Sequence, residues 1–101
     1  MDKIYKSMAD KNRRAILRML KDGEQNVNQI LKNLEIGQAT LSSHLAVLRK
    51  AGLVSCRVLG KQRIYKLEIS TLDVLLKDMT SFLGGEHEIV SSEIILRRKT
   101  T

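Results

Sequence analysis

The sequence predicts a mostly α fold with a small β-hairpin, an α+β domain of about five helices and two strands. Three observations point there. Apolar residues recur at helical spacing through most of the chain, while one stretch after Gly52 switches to a period of two. There is no proline to interrupt a helix, and two tyrosines and one phenylalanine are the only aromatic residues, so the core is aliphatic. At 101 residues and 43% hydrophobic composition the chain can bury one modest core, which argues for a single domain over 1–85 and against a large enzyme.

Asp2 is expected to cap a short first helix carrying Ile4, Tyr5 and Met8. Asp10 caps a second, in which Ile16, Leu17 and Leu20 share a face and Arg13, Arg14, Arg18 and Lys21 point elsewhere, until Gly23 stops it. A third helix starts at Val27, where Asn26 and Gln29 stand in a capping-box relation and Val27, Ile30, Leu31 and Leu34 form its apolar face. Glu35, Ile36 and Gly37 make a tight connection into a fourth helix, roughly Gln38 to Ala51, ended by Gly52. Two helices joined by a short glycine-containing turn form a helix-turn-helix candidate.

Beyond Gly52, Val54, Cys56 and Val58 alternate with Ser55 and Arg57, and a second run covers Gln62 to Leu67. Gly60-Lys61 between them suits a type II′ hairpin turn. Ser70 and Asp73 form a further capping signature for a last helix, whose Leu72, Leu75, Leu76, Met79, Phe82 and Leu83 read as one apolar stripe up to Gly84-Gly85. A tail, residues 86–101, carries Ile94, Ile95, Leu96 and a basic Arg97-Arg98-Lys99 end without an assigned structure.

Charge is uneven. Residues 1–67 hold 14 Lys/Arg against 5 Asp/Glu, whereas residues 68–101 hold 4 against 6, so the net +7 belongs to the front of the chain and suggests an anionic partner there. A single cysteine, Cys56, rules out an intrachain disulfide and suits a reducing compartment. No apolar run is long enough for a signal peptide or a membrane span, and a cytoplasmic protein without a membrane partner is expected.

The fourth helix opens "QATLSSHL" and has its chemistry divided by face. Leu41, Leu45 and Leu48 fall together and mount the helix on the core. The opposite side carries Ala39, Thr40, Ser43, Val47 and Lys50, with Ser42 and His44 on the flanks. Small polar residues at an exposed helix start let the backbone approach a surface closely, and the floor of a DNA major groove is such a surface. Gln38 can pair with an adenine edge, Ala39 can touch a thymine methyl, and Thr40, Ser42 and Ser43 can reach bases or phosphates; His44 suits a phosphate or backbone hydrogen bond. Taken alone, a solvated helix start gives the same residues. The short turn, the basic front half and the wing charges Arg57, Lys61 and Arg63 together describe a winged helix-turn-helix on double-stranded DNA.

Met8-Ala9-Asp10 followed by Arg13, Ile16, Leu17 and Leu20, then "QATLSSHLAVLRKAGLV" and "GKQRIYKL", resembles the ArsR/SmtB family of dimeric winged-helix repressors over roughly residues 3 to 83. The resemblance implies a homodimer joined through the first and last helices, presenting two reading helices to a palindromic operator. It places Ile4, Met8, Leu72, Leu75, Leu76, Met79, Phe82 and Leu83 at the interface, and Gln38, Ala39, Thr40, Ser42, Ser43 and His44 at the DNA-reading positions. Lys11, Glu35 and Gly37 depart from the family's usual proline, glycine and serine. An exposed apolar stripe on so small a domain argues separately for an interface.

Sensing has thin support. The family's thiol site on the third helix would need cysteines around 24–28, where Glu24, Gln25, Asn26, Val27 and Asn28 stand, and its last-helix metal site is replaced by Ile69, Thr71, Met79 and Thr80. No metal or other cofactor is expected. Cys56 beside Arg57, and the Glu86-His87-Glu88 run, are the remaining candidates for a redox or metal response. No catalytic grouping stands out either, so an enzyme is not expected. The rival readings are a winged-helix module that binds a protein instead of DNA, and a sensor built on Cys56 or His87.

Overall fold

The computed structural model describes residues 1–86. Elements follow in the order α1 (Asp2–Ser7), α2 (Lys11–Leu20), β1 (Gln25–Asn26), α3 (Val27–Lys32), α4 (Gln38–Lys50), β2 (Val54–Leu59), β3 (Gln62–Leu67) and α5 (Ile69–Thr80). A 3₁₀ segment, Ser81–Glu86, follows and is broken at Gly84, where φ is +76°. The chain forms two compact units, Met1–Thr71 and a second beginning at Leu72. The 86–101 tail, with His87 and Glu88, the Ile94–Leu96 cluster and the Arg97–Lys99 end, lies beyond the described residues apart from Glu86.

In the first unit the core is the aliphatic set the periodicity indicates. Ile16, Leu17 and Leu20 of α2, Ile30 of α3, Leu41, Leu45 and Leu48 of α4, and Leu53 and Val54 are all buried, with Tyr65 of β3 closing the set. Helix α4 packs against α1, α2 and β2, while α2 and α3 both pack on β3. Each buried leucine is worth roughly 1.5–3 kcal/mol by area. The α4 leucines therefore fix which side of that helix faces out.

The caps explain where the helices stop. The Asp10 carboxylate accepts from the backbone N–H of Asn12 and Arg13, and the Asn26–Gln29 capping box forms in both directions. At the end of α4 the Leu53 N–H donates to Leu48 C=O and the Gly52 N–H to Arg49 C=O, the paired bonds of a Schellman motif. Gly52 takes φ +77° there, and a Cβ on it would meet Thr71 Oγ1 at 3.4 Å.

The wing is a ladder from Val54↔Leu67 to Leu59↔Gln62. Gly60 has φ +64° and Lys61 does not share a positive φ, so the turn is the expected II′ type and not I′.

Four expectations need correcting. Asp2 lies inside the first turn of α1 and makes no side-chain cap, because the helix already starts at Asp2 with Met1 as its N-cap. The sheet has three strands in the order β1-β3-β2, not two: Gln25 and Asn26 pair with Tyr65 and Ile64, and a two-residue strand has no periodicity to announce it. Helix α5 begins at Ile69, so Ser70 sits within it and does not cap it. Its apolar stripe is also not continuous: the helix ends at Thr80, and Phe82 and Leu83 belong to the 3₁₀ segment. Of the stripe residues Leu75 is buried, whereas Leu76, Met79, Phe82 and Leu83 are exposed.

Leu48 is fully buried between the α4 face and its neighbours. Truncating it in Leu48→Ala should cost about 2–5 kcal/mol in urea unfolding, the range for an aliphatic core cavity.

Candidate nucleic-acid interface

With Leu41, Leu45 and Leu48 turned inward, α4 shows solvent Gln38, Ala39, Thr40, Ser42, Ser43, Ala46, Val47, Arg49 and Lys50. One flank of this face meets the wing across an open cleft of about 500 Å³. Gln38, Ser42, Ala46 and Arg49 line it from α4, Asn26, Val27 and Asn28 from the start of α3, and Lys61, Gln62, Arg63 and Tyr65 from the wing. The cleft therefore brings together Gln38, Ser42, Lys61 and Arg63, which the sequence nominates, with Asn28, Arg49 and Gln62, which it does not. Arg49 sits 11 residues after Gln38, three helical turns on, and that spacing alone places the two on one flank.

The cleft walls are tied to each other. Asn26 Nδ2 donates to Gln62 Oε1 at 3.4 Å, and β1 hydrogen-bonds to β3, so the N-terminus of α3 is fastened to the wing. Gln25 Nε2 donates to the Met19 carbonyl at 3.0 Å and anchors the same segment to α2. Tyr65, at the cleft floor, has its hydroxyl pKa pushed up by burial first and then by its hydrogen bond with the Cys56 thiol. It stays a neutral donor at physiological pH.

Two nominated residues are engaged within the protein. His44 is only 13% exposed and faces inward between α2 and α4. Arg13 Nη1 lies 3.2 Å from its Nδ1. An arginine nitrogen can only donate, so Nδ1 accepts, and Nε2 carries the proton toward Asp10 Oδ1, 3.8 Å away. His44 thus ties α4 to α2 through Arg13 and Asp10. Arg13, expected to point away from the core, is the other half of this joint: its Nε donates to the Ser7 carbonyl at 2.6 Å and its Nη2 to that of Lys6 at 3.2 Å. The second engaged residue is Arg57, whose guanidinium donates to Glu24 at 2.8 Å at the root of the wing. This pairing holds the Glu24 carboxyl below its usual range and raises Arg57 further, so its charge is already matched.

The remaining nominated residues divide by flank. Lys61 and Arg63 are exposed at and beside the hairpin tip. Thr40, Ser43 and Ala39 stay exposed on α4 outside the wing cleft, and Lys50 lines a separate groove against α1. Cys56 is half-buried in β2, its thiol 3.8 Å from the Arg57 carbonyl, and no three His, Cys, Asp or Glu side chains converge as a metal site among the described residues. No described helix is long and apolar enough to cross a membrane.

A basic, concave surface built around a helix-turn-helix finds its counterpart in known proteins. Residues 10–55 match the model of the bacterial regulatory protein arsR family. Over 91% of this chain and 90% of the relative, the sequence is 33% identical to the HTH-type transcriptional regulator Rv2034 of Mycobacterium tuberculosis. The chain belongs to the arsR family. It is also 28% identical to the transcriptional repressor SdpR of Bacillus subtilis, over 88% of this chain and all of that one. A solved structure described as a possible transcriptional regulator for arsenical resistance superposes with a TM-score of 0.75 at 31% identity, covering 92% of this chain and 96% of the other. The winged-helix fold is therefore that of arsR regulators, a family of transcription factors and not of enzymes. Its members bind DNA and typically act as dimers.

The Asp10 joint is expected to contribute to the acid response of this arsR regulator. The backbone hydrogen bond from Arg13 leads in lowering the Asp10 pKa below 3.8; burial opposes it, and the backbone hydrogen bond from Asn12 and the nearby His44 and Arg13 add to the lowering. A carboxyl with a lower pKa folded than unfolded stabilises the fold above the unfolded value, and that gain disappears as the pH falls through the folded one. Thermal unfolding followed from neutral pH down through this range should show a shallower acid decline for Asp10→Asn than for the native chain.

Proposed function

We propose that this chain is a homodimeric arsR-family repressor that sets two α4 helices into successive major grooves of a palindromic operator. The wing cleft carries the proposal, because it gathers base-reading and phosphate-binding groups on one concave surface. Gln38 and Ser42 read base edges near the start of α4, with Ala39, Thr40 and Ser43 following the groove floor. Arg49, Lys61 and Arg63 neutralise phosphates along the backbone that borders the wing. Asn28, at the N-terminus of α3, adds an uncharged donor on the same side.

The dimer rests on α1 and α5. Leu76, Met79, Phe82 and Leu83 form an exposed apolar set that solvent does not favour, and Ile4, Met8 and Leu72 are half-buried. Leu75 is buried, unlike the rest of the set. The relative SdpR, named a repressor, supports the regulatory sign. The same fold could instead serve as a protein-binding module, and charge separates the two.

The double variant Lys61→Glu/Arg63→Glu should lose DNA binding in fluorescence anisotropy while sedimentation still reports the native oligomer; retained DNA affinity would defeat the proposal. Gln38→Ala should leave overall affinity for random DNA nearly intact and relax the preference at one base pair of each half-site by about 1–3 kcal/mol, read by selecting bound fragments from random DNA.

A further inference from the structure

We propose that the groove between α1 and α4 is a second DNA-backbone site, which grips the phosphodiester strand on the far side of the major groove from the wing. This deepens the DNA-binding reading and rests on it. The groove has a volume of about 270 Å³; Val47 and Ala51 form its apolar floor, and Lys3, Lys6 and Lys50 its rim. None of these three ammonium groups pairs with a carboxylate among the described residues.

Helix geometry gives the groove its occupant. An α-helix with its side chains is about 10–12 Å across and the major groove of B-DNA is about 12 Å wide, so a seated helix has one phosphate strand beside each flank. One flank of α4 faces the wing cleft through Gln38, Ser42 and Arg49. The other faces this groove through Val47 and Ala51, and Lys50 reaches it from the outward ridge that it shares with Ala39 and Ser43. The groove is thus continuous with the reading surface, and its cationic rim over a small apolar floor matches a backbone of phosphates joined by deoxyribose. Lys3 and Lys6 stand three residues apart on α1 and so lie on one side of it, with the buried Ser7 next to Lys3 on the wheel. Arg13 serves as a positioning residue: its bonds to the Lys6 and Ser7 carbonyls and to His44 hold α1 at a set distance from α4.

The test compares native chain, Lys3→Gln/Lys6→Gln and Lys50→Gln on a short duplex carrying the sequence the native chain selects. Each lost phosphate contact should take about 0.9 off the slope of log affinity against log salt, so the double variant loses nearly 2 per bound subunit and Lys50→Gln nearly 1. Phosphate-ethylation interference should vanish on the strand across the major groove from the wing and persist beside it. Unchanged slopes and interference in a folded variant, checked by circular dichroism, would overturn the groove as a DNA site while leaving the wing result standing. A change of oligomeric state without a change of slope would overturn it too, and would assign the groove to a second copy of the chain. Failure of Lys61→Glu/Arg63→Glu to weaken binding would instead overturn the parent reading.

Discussion

The burial of Leu41, Leu45 and Leu48 is the constraint on which the rest of the structure depends. A helix has two sides to offer, and these leucines commit one of them to the core at a gain of several kcal/mol in total. Every polar group that faces outward on α4 does so because the opposite face is fixed. The serines, the threonine and the glutamine near its start are exposed to solvent. The short side chains matter as much as their polarity, since they let the helix backbone come close to a groove floor.

Orientation is refined by a few polar joints. Asp10 caps α2 and faces His44, and Arg13 spans from His44 to the carbonyls that end α1, so three helices meet at one small cluster. On the wing side, the Asn26–Gln62 contact and the short β1 pairing fasten the start of α3 to the hairpin. The Schellman motif at Gly52 then sets the direction in which the chain leaves α4 for β2. Apolar burial decides which face looks out, and these joints decide where it points.

Much of this was legible from the residue order. The aliphatic faces of α2 and α4, the Asp10 and Asn26 caps, and the II′ hairpin at Gly60-Lys61 all follow from local rules of spacing and backbone preference, and the structure has them. What escaped were pairings between distant segments. The β1 strand is two residues long and exists only because β3 offers it a free edge. His44 and Arg57 looked like DNA contacts because type and position suited that role, but their partners, Arg13 and Glu24, lie 31 and 33 residues away in sequence. Arg49 and Gln62 went unnoticed as cleft residues for the same reason: the cleft exists only once the wing folds back toward α4. The extent of α5 was overestimated because the apolar spacing runs on past Thr80 while the backbone turns to 3₁₀.

The central claim is that the exposed face of α4 lies against DNA bases. Replacing Ser42 with a photoreactive residue and irradiating the complex with a duplex tests it most directly. Crosslinks to bases in the major groove, at one position in each half-site, are the result this account predicts. Crosslinks that form only within the protein, or to a partner subunit, would contradict it.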